Sequence, residues 1–314
     1  KLVARSLRLW QENEQRWKRR LFRRTGVLWF AGEEDDYEKA SLPLLREAGV
    51  AFEKLTLAEL EKRFPQVDFA GVRWGIYEPD SGYLRARHAC AVVLEGFLAE
   101  GGTFRQLAAK PGALRSGKMG DILLSDGATL RADQYVFACG PWLGRLFPEV
   151  IGELIRPTRQ EVFFFGTPAG DPRYLVEQMP VWIDNGDRVF YGIPGSERRG
   201  FKVADDSRGP LFDPTSGERM PTLEGLRAAR EYLGYRFPGL KDAPLLEARV
   251  CTYENTADHQ FIVDRHPEAD NAWLVGGGSG HGFKHGPAMG ELVAGQVLGQ
   301  SSVDPTFGLS RFSR

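Results

Sequence analysis

Hydrophobic positions open in a helical rhythm. Leu7, Trp10, Trp17 and Leu21 recur at helical spacing, interrupted by Glu14, and predict an amphipathic helix. Lys18, Arg19 and Arg20 fall late in it, where positive charge suits the C-terminal end of the helix dipole. Thr25-Gly-Val-Leu-Trp-Phe30 reads as a buried strand, Asp36 to Ala48 as a helix ended near Gly49, and Leu57 to Phe64 as a second short helix. Trp74 to Gly82 reads as strand then turn, because Pro79, Asp80, Ser81 and Gly82 supply turn chemistry. From Arg85 to Glu100 the pattern predicts a helix burying Ala89, Val92, Val93, Phe97 and Leu98, with Gly101-Gly102 after it. Short strands are expected around Phe104, Ile122 to Leu124 and Leu130, and over Tyr135-Val-Phe-Ala-Cys-Gly-Pro-Trp142.

Between about Arg156 and Val250 the texture changes to strands and turns, with one helix near Leu223 to Leu233. Val162-Phe-Phe-Phe165 and Arg188-Val-Phe-Tyr-Gly192 are aromatic strands, the second entered through the turn Asp184-Asn-Gly-Asp187, and together they predict a largely antiparallel sheet. The end of the chain returns to α/β character, with a strand over Ala272 to Val275, a glycine turn, and a helix from Pro287 to Val297. The expected fold class is mixed α/β, one discontinuous domain interrupted by a second.

Composition narrows the functions. The 314 residues suffice for two domains without disulfides. Lys plus Arg total 41 against 42 Asp plus Glu, a net charge of -1 that gives no reason to expect a nucleic-acid partner. Cys90, Cys139 and Cys251 are odd in number and irregularly spaced, which suits neither a disulfide framework nor a zinc site, and the reading is a reducing cytoplasm. No apolar run approaches the roughly 20 residues of a membrane span. No membrane partner is expected.

Two patches are chemically dense. Trp273-Leu-Val-Gly-Gly-Gly-Ser-Gly-His-Gly-Phe-Lys-His-Gly-Pro287 takes a strand through closely spaced glycines into a helix, which lets backbone amides approach a ligand where side chains would collide. Such a turn can hold a phosphate or the electron-rich edge of a reduced flavin, or serve only as a tight connection. The second patch runs from Cys251 to Pro267. Its Asp258, Asp264 and His266 alternate with apolar residues as solvated strand or hairpin positions do, so no metal is expected, and Cys251 alone reads as a small buried hydrophobe rather than a reactive thiol.

Taken in order, Tyr191-Gly-Ile-Pro, Gly200-Phe-Lys202, Cys251-Thr-Tyr253 and Ser279-Gly-His-Gly-Phe-Lys284 resemble the monomeric sarcosine oxidase family of D-amino-acid-oxidase-type flavoproteins. The Glu78-Pro-Asp-Ser-Gly82 turn and Ala138-Cys-Gly-Pro-Trp142 are also similar to their counterparts. The resemblance implies an FAD-binding domain of the glutathione-reductase type, over residues 1-21, 80-150 and 256-314, and an antiparallel-sheet substrate domain over 22-79 and 151-255. It implies that Cys251 can attach FAD through a thioether, that Lys202 beside the flavin promotes reaction with oxygen, and that Lys284 binds the substrate carboxylate. Tyr191 and Tyr253 would line the amine site, and His281 would lie in the glycine turn near the flavin. Gly140, Trp142, Gly277, Gly278, Gly280, Gly282, Phe283 and Lys284 are the remaining expected cofactor contacts.

The family's Gly-x-Gly-x-x-Gly fingerprint is missing, so the chain is expected to be incomplete at its N-terminus and, as it stands, to bind FAD poorly. Four residues after Lys202, where sarcosine oxidases place a histidine, this chain has Asp206, which leaves the amine open. The expected reaction is oxidation of a secondary or N-methylated amino acid to an imine, with oxygen reduced to hydrogen peroxide by a monomeric enzyme and no dedicated general base. A dehydrogenase using another electron acceptor, or a non-catalytic flavin-binding protein, is the alternative.

Overall fold

The computed structural model describes residues 1–186 and 188–312, so Asp187, the end of the expected Asp184–Asp187 turn, lies outside the described residues. Helix α1, Leu2–Trp17, stops earlier than the hydrophobic spacing implied. Lys18 takes a left-handed conformation (φ 51°, ψ 43°), and the Glu14 carboxylate accepts the N–H groups of Leu21 at 2.6 Å and Phe22 at 2.8 Å. The residue that breaks the apolar stripe is thus the one that turns the chain. Lys18, Arg19 and Arg20 lie beyond the helix, and Leu21 is buried in the connection.

Helices α2 (Asp36–Glu47), α3 (Leu57–Arg63) and α4 (Ala86–Ala99) fall where their patterns put them. The buried stripe of α4 is narrower than expected. Ala89, Val92 and Gly96 are buried, with the Trp17 indole lying against Gly96, whereas Val93, Phe97 and Leu98 are exposed. One indole fills the seam, and apolar residues a step round the helix from it face outward. Phe104 is exposed and in no strand.

Eleven strands frame the site: β1 (Val27–Ala31), β2 (Glu53–Thr56), β3 (Trp74–Glu78), β4 (Tyr135–Phe137), β5 (Arg156–Phe165), β6 (Val181–Asn185), β7 (Val189–Ile193), β8 (Phe201–Asp205), β9 (Leu245–Asn255), β10 (Ile262–His266) and β11 (Ala269–Gly276). Among the described residues, eight form one sheet in the order β9-β5-β8-β7-β6-β1-β3-β2, antiparallel at every step except β6 with β1. A smaller sheet has the order β4-β11-β10, with β4 and β11 parallel. Strand β4 ends at Phe137, short of Trp142, because Gly140 turns at φ +54° and Pro141 has no N–H to continue a ladder.

The large sheet separates core from cleft through the two-residue alternation of its strands. Phe163, Phe165, Phe190, Phe201 and Val203 point to one side and pack with Trp182 against Tyr232 and Leu233 of helix α5, Leu223–Arg236. Each such side chain, fully buried, contributes about 1.5–3 kcal/mol relative to exposure. Asp184 of β6 locks α5 down. It accepts from Arg236 at 2.8 and 3.0 Å and from the Tyr232 hydroxyl at 2.9 Å, while Arg236 also donates to the carbonyls of Asp68 and Ala70. Helix α6, Gly286–Val297, follows the glycine turn. Among the described residues no helix is long and apolar enough to cross a membrane.

Candidate active site

The other face of the sheet collects the expected residues. Tyr191 stands opposite Ala204, Ile193 opposite Lys202, and Gln160 opposite Cys251, so the alternation that sends Phe163 and Phe201 into the core turns Tyr191, Lys202, Cys251 and Tyr253 toward the cleft. Val162, Phe164 and Ala204 form an apolar floor, with Tyr191 and the half-buried Cys251 packed on it. Lys202 donates to the Tyr191 hydroxyl at 3.3 Å, and its ammonium lies 4.4 Å from the Tyr191 ring centre. The hydroxyls of Tyr191 and Tyr253 are 3.4 Å apart, and Tyr253 donates to Asp206 Oδ1 at 2.7 Å. Burial, reinforced by Tyr191 and Asp206, holds the Tyr253 phenol far above its ordinary value. It is a hydrogen-bond donor at any working pH.

The glycine turn lies against this face at Tyr253. A Cβ on Gly280 would fall 2.3 Å from the Tyr253 ring, and Gly280 has φ +84°, so both space and backbone require glycine there. At Gly277 (φ +75°) a Cβ would meet Thr256 at 2.8 Å, and at Gly278 it would meet Glu254 Oε1 at 3.0 Å. Gly282 is different, since a Cβ there makes ordinary contact with Phe261. Buried Ser279 knots the turn, accepting the Thr256 N–H at 3.2 Å and donating to the Gly277 carbonyl at 3.1 Å.

Beyond the turn the expected residues divide. Lys284 lies where its charge and that of Asp206 act on each other, and desolvation lowers the Lys284 ammonium from its ordinary value. His281 meets the carbonyl of His259 at 3.1 Å, and desolvation together with Lys284 lowers its pKa. Phe283 turns away to stack on Trp10 of α1 at 5.8 Å, and the Trp10 indole donates to the Lys284 carbonyl at 3.0 Å. Trp142 is partly exposed and donates to Thr215 at 2.9 Å.

Two acidic residues carry more than the sequence indicated. Glu254, one residue past Tyr253, accepts the Gly278 N–H at 3.1 Å, and a Cβ on Gly140 would stand 4.0 Å from its Oε2. It therefore links the turn after β4 to the turn after β11. Burial raises its carboxyl above the usual range, and Oε2 is buried without a partner. Asp206 was visible only as a departure from a motif. The signal for both is tertiary, because their neighbours come from distant strands. His266 is not the solvated residue its alternation suggested: it is buried 5.6 Å from the Phe147 ring, since β10 has the small sheet's core on that side. No group of three or more His, Cys, Asp or Glu able to hold a metal occurs among the described residues.

An apolar floor, two tyrosines and two lysines thus share one cleft beside a glycine turn that opens a helix. The chain belongs to the FAD dependent oxidoreductase (DAO) family, whose profile matches residues 1–296. It is 28% identical to the N-methyl-L-tryptophan oxidase of Salmonella enteritidis, over 100% of this chain and 83% of that protein. It is 27% identical to the monomeric sarcosine oxidase of a Bacillus species, over 95% of this chain and 77% of that protein. The fold matches L-proline dehydrogenase from P. horikoshii with a TM-score of 0.85 at 20% identity, covering 100% and 83% of the two chains. It matches glycine oxidase from Geobacillus kaustophilus at 0.80 and 20%, covering 99% and 81%. The mixed α/β class expected from the sequence is the class of these structures.

The residues present fit the family's cofactor. The Val162, Phe164 and Ala204 floor suits a flat apolar ring, and Glu254 Oε2 is a buried oxygen left free for a bound group.

Proposed function

We propose that this enzyme oxidises a secondary or N-methylated amino acid to an imine and uses oxygen as electron acceptor. FAD, when bound, supplies the redox chemistry, taking two electrons from the carbon beside the nitrogen and yielding hydrogen peroxide on reoxidation. Residues 1-21, 80-150 and 256-314 hold the cofactor in this reading, with Gly140, Gly277, Gly278, Gly280 and Gly282 approaching it. Residues 22-79 and 151-255 cover the ring, and Cys251 attaches it through a thioether.

The chain's own residues have separate tasks. Lys284 takes the substrate carboxylate, helped by desolvation that strengthens its attraction for an anion. Tyr191 and Tyr253 wall the amine. Lys202 holds positive charge where oxygen becomes negative, and such preorganised charge is effective because it need not reorient during the reaction. His281, kept largely neutral at physiological pH, adds no competing charge.

The observation that carries this reading is the convergence of Tyr191, Lys202, Cys251 and Tyr253 on one sheet face beneath the glycine turn. Anaerobic addition of sarcosine, proline, pipecolate and N-methyl-L-tryptophan to the flavin-loaded protein tests it. At least one should bleach the flavin absorbance, and air should restore it with release of peroxide. Bleaching by none overturns the amino-acid reading, and bleaching without restoration by air overturns the oxidase part. For Cys251, acid precipitation and peptide mass spectrometry should find FAD on the peptide containing it, and flavin wholly in the supernatant rejects the linkage.

A further inference from the structure

Charge in the cleft is unevenly paired. Lys202 comes from β8, Lys284 from the turn before α6, Tyr191 from β7 and Tyr253 from β9, and all converge on Asp206 or on its hydrogen-bond partner. Asp205 and His281 are the other titratable groups that act on Asp206. Two lysines therefore act on the Asp206 carboxylate, since Asp205 is drawn off by Arg188 and Glu254 is turned to the Gly278 amide. An amino acid whose carboxylate sits on Lys284 would bring its ammonium into a field already positive.

Asp206 offsets that field. Its Oδ1 is taken by the Tyr253 hydroxyl, whereas its Oδ2 accepts no hydrogen bond among the described residues, and the residue is exposed to the cleft. We propose that Asp206 is a substrate-recognition residue whose free carboxylate oxygen pairs with the ammonium of an amino acid held at its other end by Lys284. This rests on the amino-acid reading above and deepens it: the preferred substrate is a zwitterion, recognised at both poles. Tyr253 orients Asp206 by occupying one oxygen and leaving the other aimed at the ligand. Desolvation raises the Asp206 carboxyl, and the Tyr253 bond, Lys284 and Lys202 oppose that rise. Recognition should therefore weaken as acid protonates Asp206.

The experiment compares pairs of ligands that differ only at the nitrogen. Sarcosine is paired with methoxyacetate, and L-proline with tetrahydrofuran-2-carboxylate, in which oxygen replaces the nitrogen. Flavin-loaded wild type and Asp206→Asn are compared, since asparagine still accepts from Tyr253 but carries no charge. Half-saturation of anaerobic flavin reduction reads the amines, and perturbation of the flavin spectrum reads binding of the ether acids. The variant should need about tenfold or more amine, while binding the ether acid as tightly as wild type or more tightly. Asp206→Glu, which restores charge, should recover most of the amine preference. Unchanged half-saturation for the amine, or equal weakening for amine and ether acid, overturns the proposal and leaves the amino-acid reading standing. Failure of every amine to reduce wild type removes both together.

Discussion

Lys202 and Lys284 are both cations of one cleft, yet their surroundings assign them to different steps. Lys202 is held over the Tyr191 ring and bonded to its hydroxyl, whereas Lys284 stands beside Asp206 at the far side of the glycine turn. If Lys202 stabilises charge on oxygen, Lys202→Met should slow reoxidation of reduced flavin about 10²- to 10³-fold, the scale of removing one preorganised electrostatic group. Flavin reduction under anaerobic conditions should change far less. Lys284→Met should do the reverse, raising the substrate concentration needed for reduction and leaving reoxidation near its wild-type rate. Stopped-flow measurement of each half-reaction separates them, and a Lys202 variant with normal oxygen reactivity rules out the role given to that residue. Both lysines were singled out in the sequence through the family resemblance, since Lys202 read by itself is an ordinary surface lysine. Asp206 and Glu254 were not legible, because their meaning comes from Tyr253 and from the Gly278 amide, which only folding brings near.

At the scale of elements, the turn between β11 and α6 is held to its shape by contact rather than by sequence alone. Gly280 tolerates no side chain, because alanine there would sit in a left-handed backbone and inside the Tyr253 ring. Gly280→Ala should cost about 1–3 kcal/mol for the backbone strain alone and should also displace Tyr253. Lower thermal stability together with a raised substrate half-saturation is the expected result. Gly290→Ala, inside helix α6 with nothing within 4 Å of the new methyl, should leave half-saturation unchanged and raise stability by up to about 1 kcal/mol. An equal response from the two variants contradicts this account of the turn. Element types were largely readable from period, as in α2, α3, β7 and β11, while several ends were not. Helix α1 ends where the Glu14 carboxylate captures two amides just beyond it, a local side-chain bond that hydrophobic spacing does not encode. The apolar arc of α4 likewise overstated its burial, since periodicity reports which residues share a side and not how wide the partner is.

For the whole molecule, the interlock of Asp184, Tyr232 and Arg236 joins β6, α5 and the segment around Asp68 to Ala70. Asp184→Ala would strand a buried guanidinium, and breaking a buried pair in this way costs about 3–5 kcal/mol. Denaturant unfolding should show that loss, and a loss below about 1 kcal/mol, the range of an exposed pair, would mean that water already reaches Arg236. This interlock sits on the side of the sheet away from the cleft. Along β5, even-numbered residues such as Val162 and Phe164 belong to the cleft floor, and odd-numbered ones such as Phe163 and Phe165 to the core. The same rule holds for β8, with Lys202 toward the cleft and Phe201 in the core, and in reversed number for β7, with Tyr191 toward the cleft and Phe190 in the core, so neighbours in sequence are opposite in duty. Ligand preference and folding thus reside on alternate letters of the same strands, so selection can rewrite one set while leaving the other untouched, whereas a single-residue deletion would exchange the two vocabularies at once.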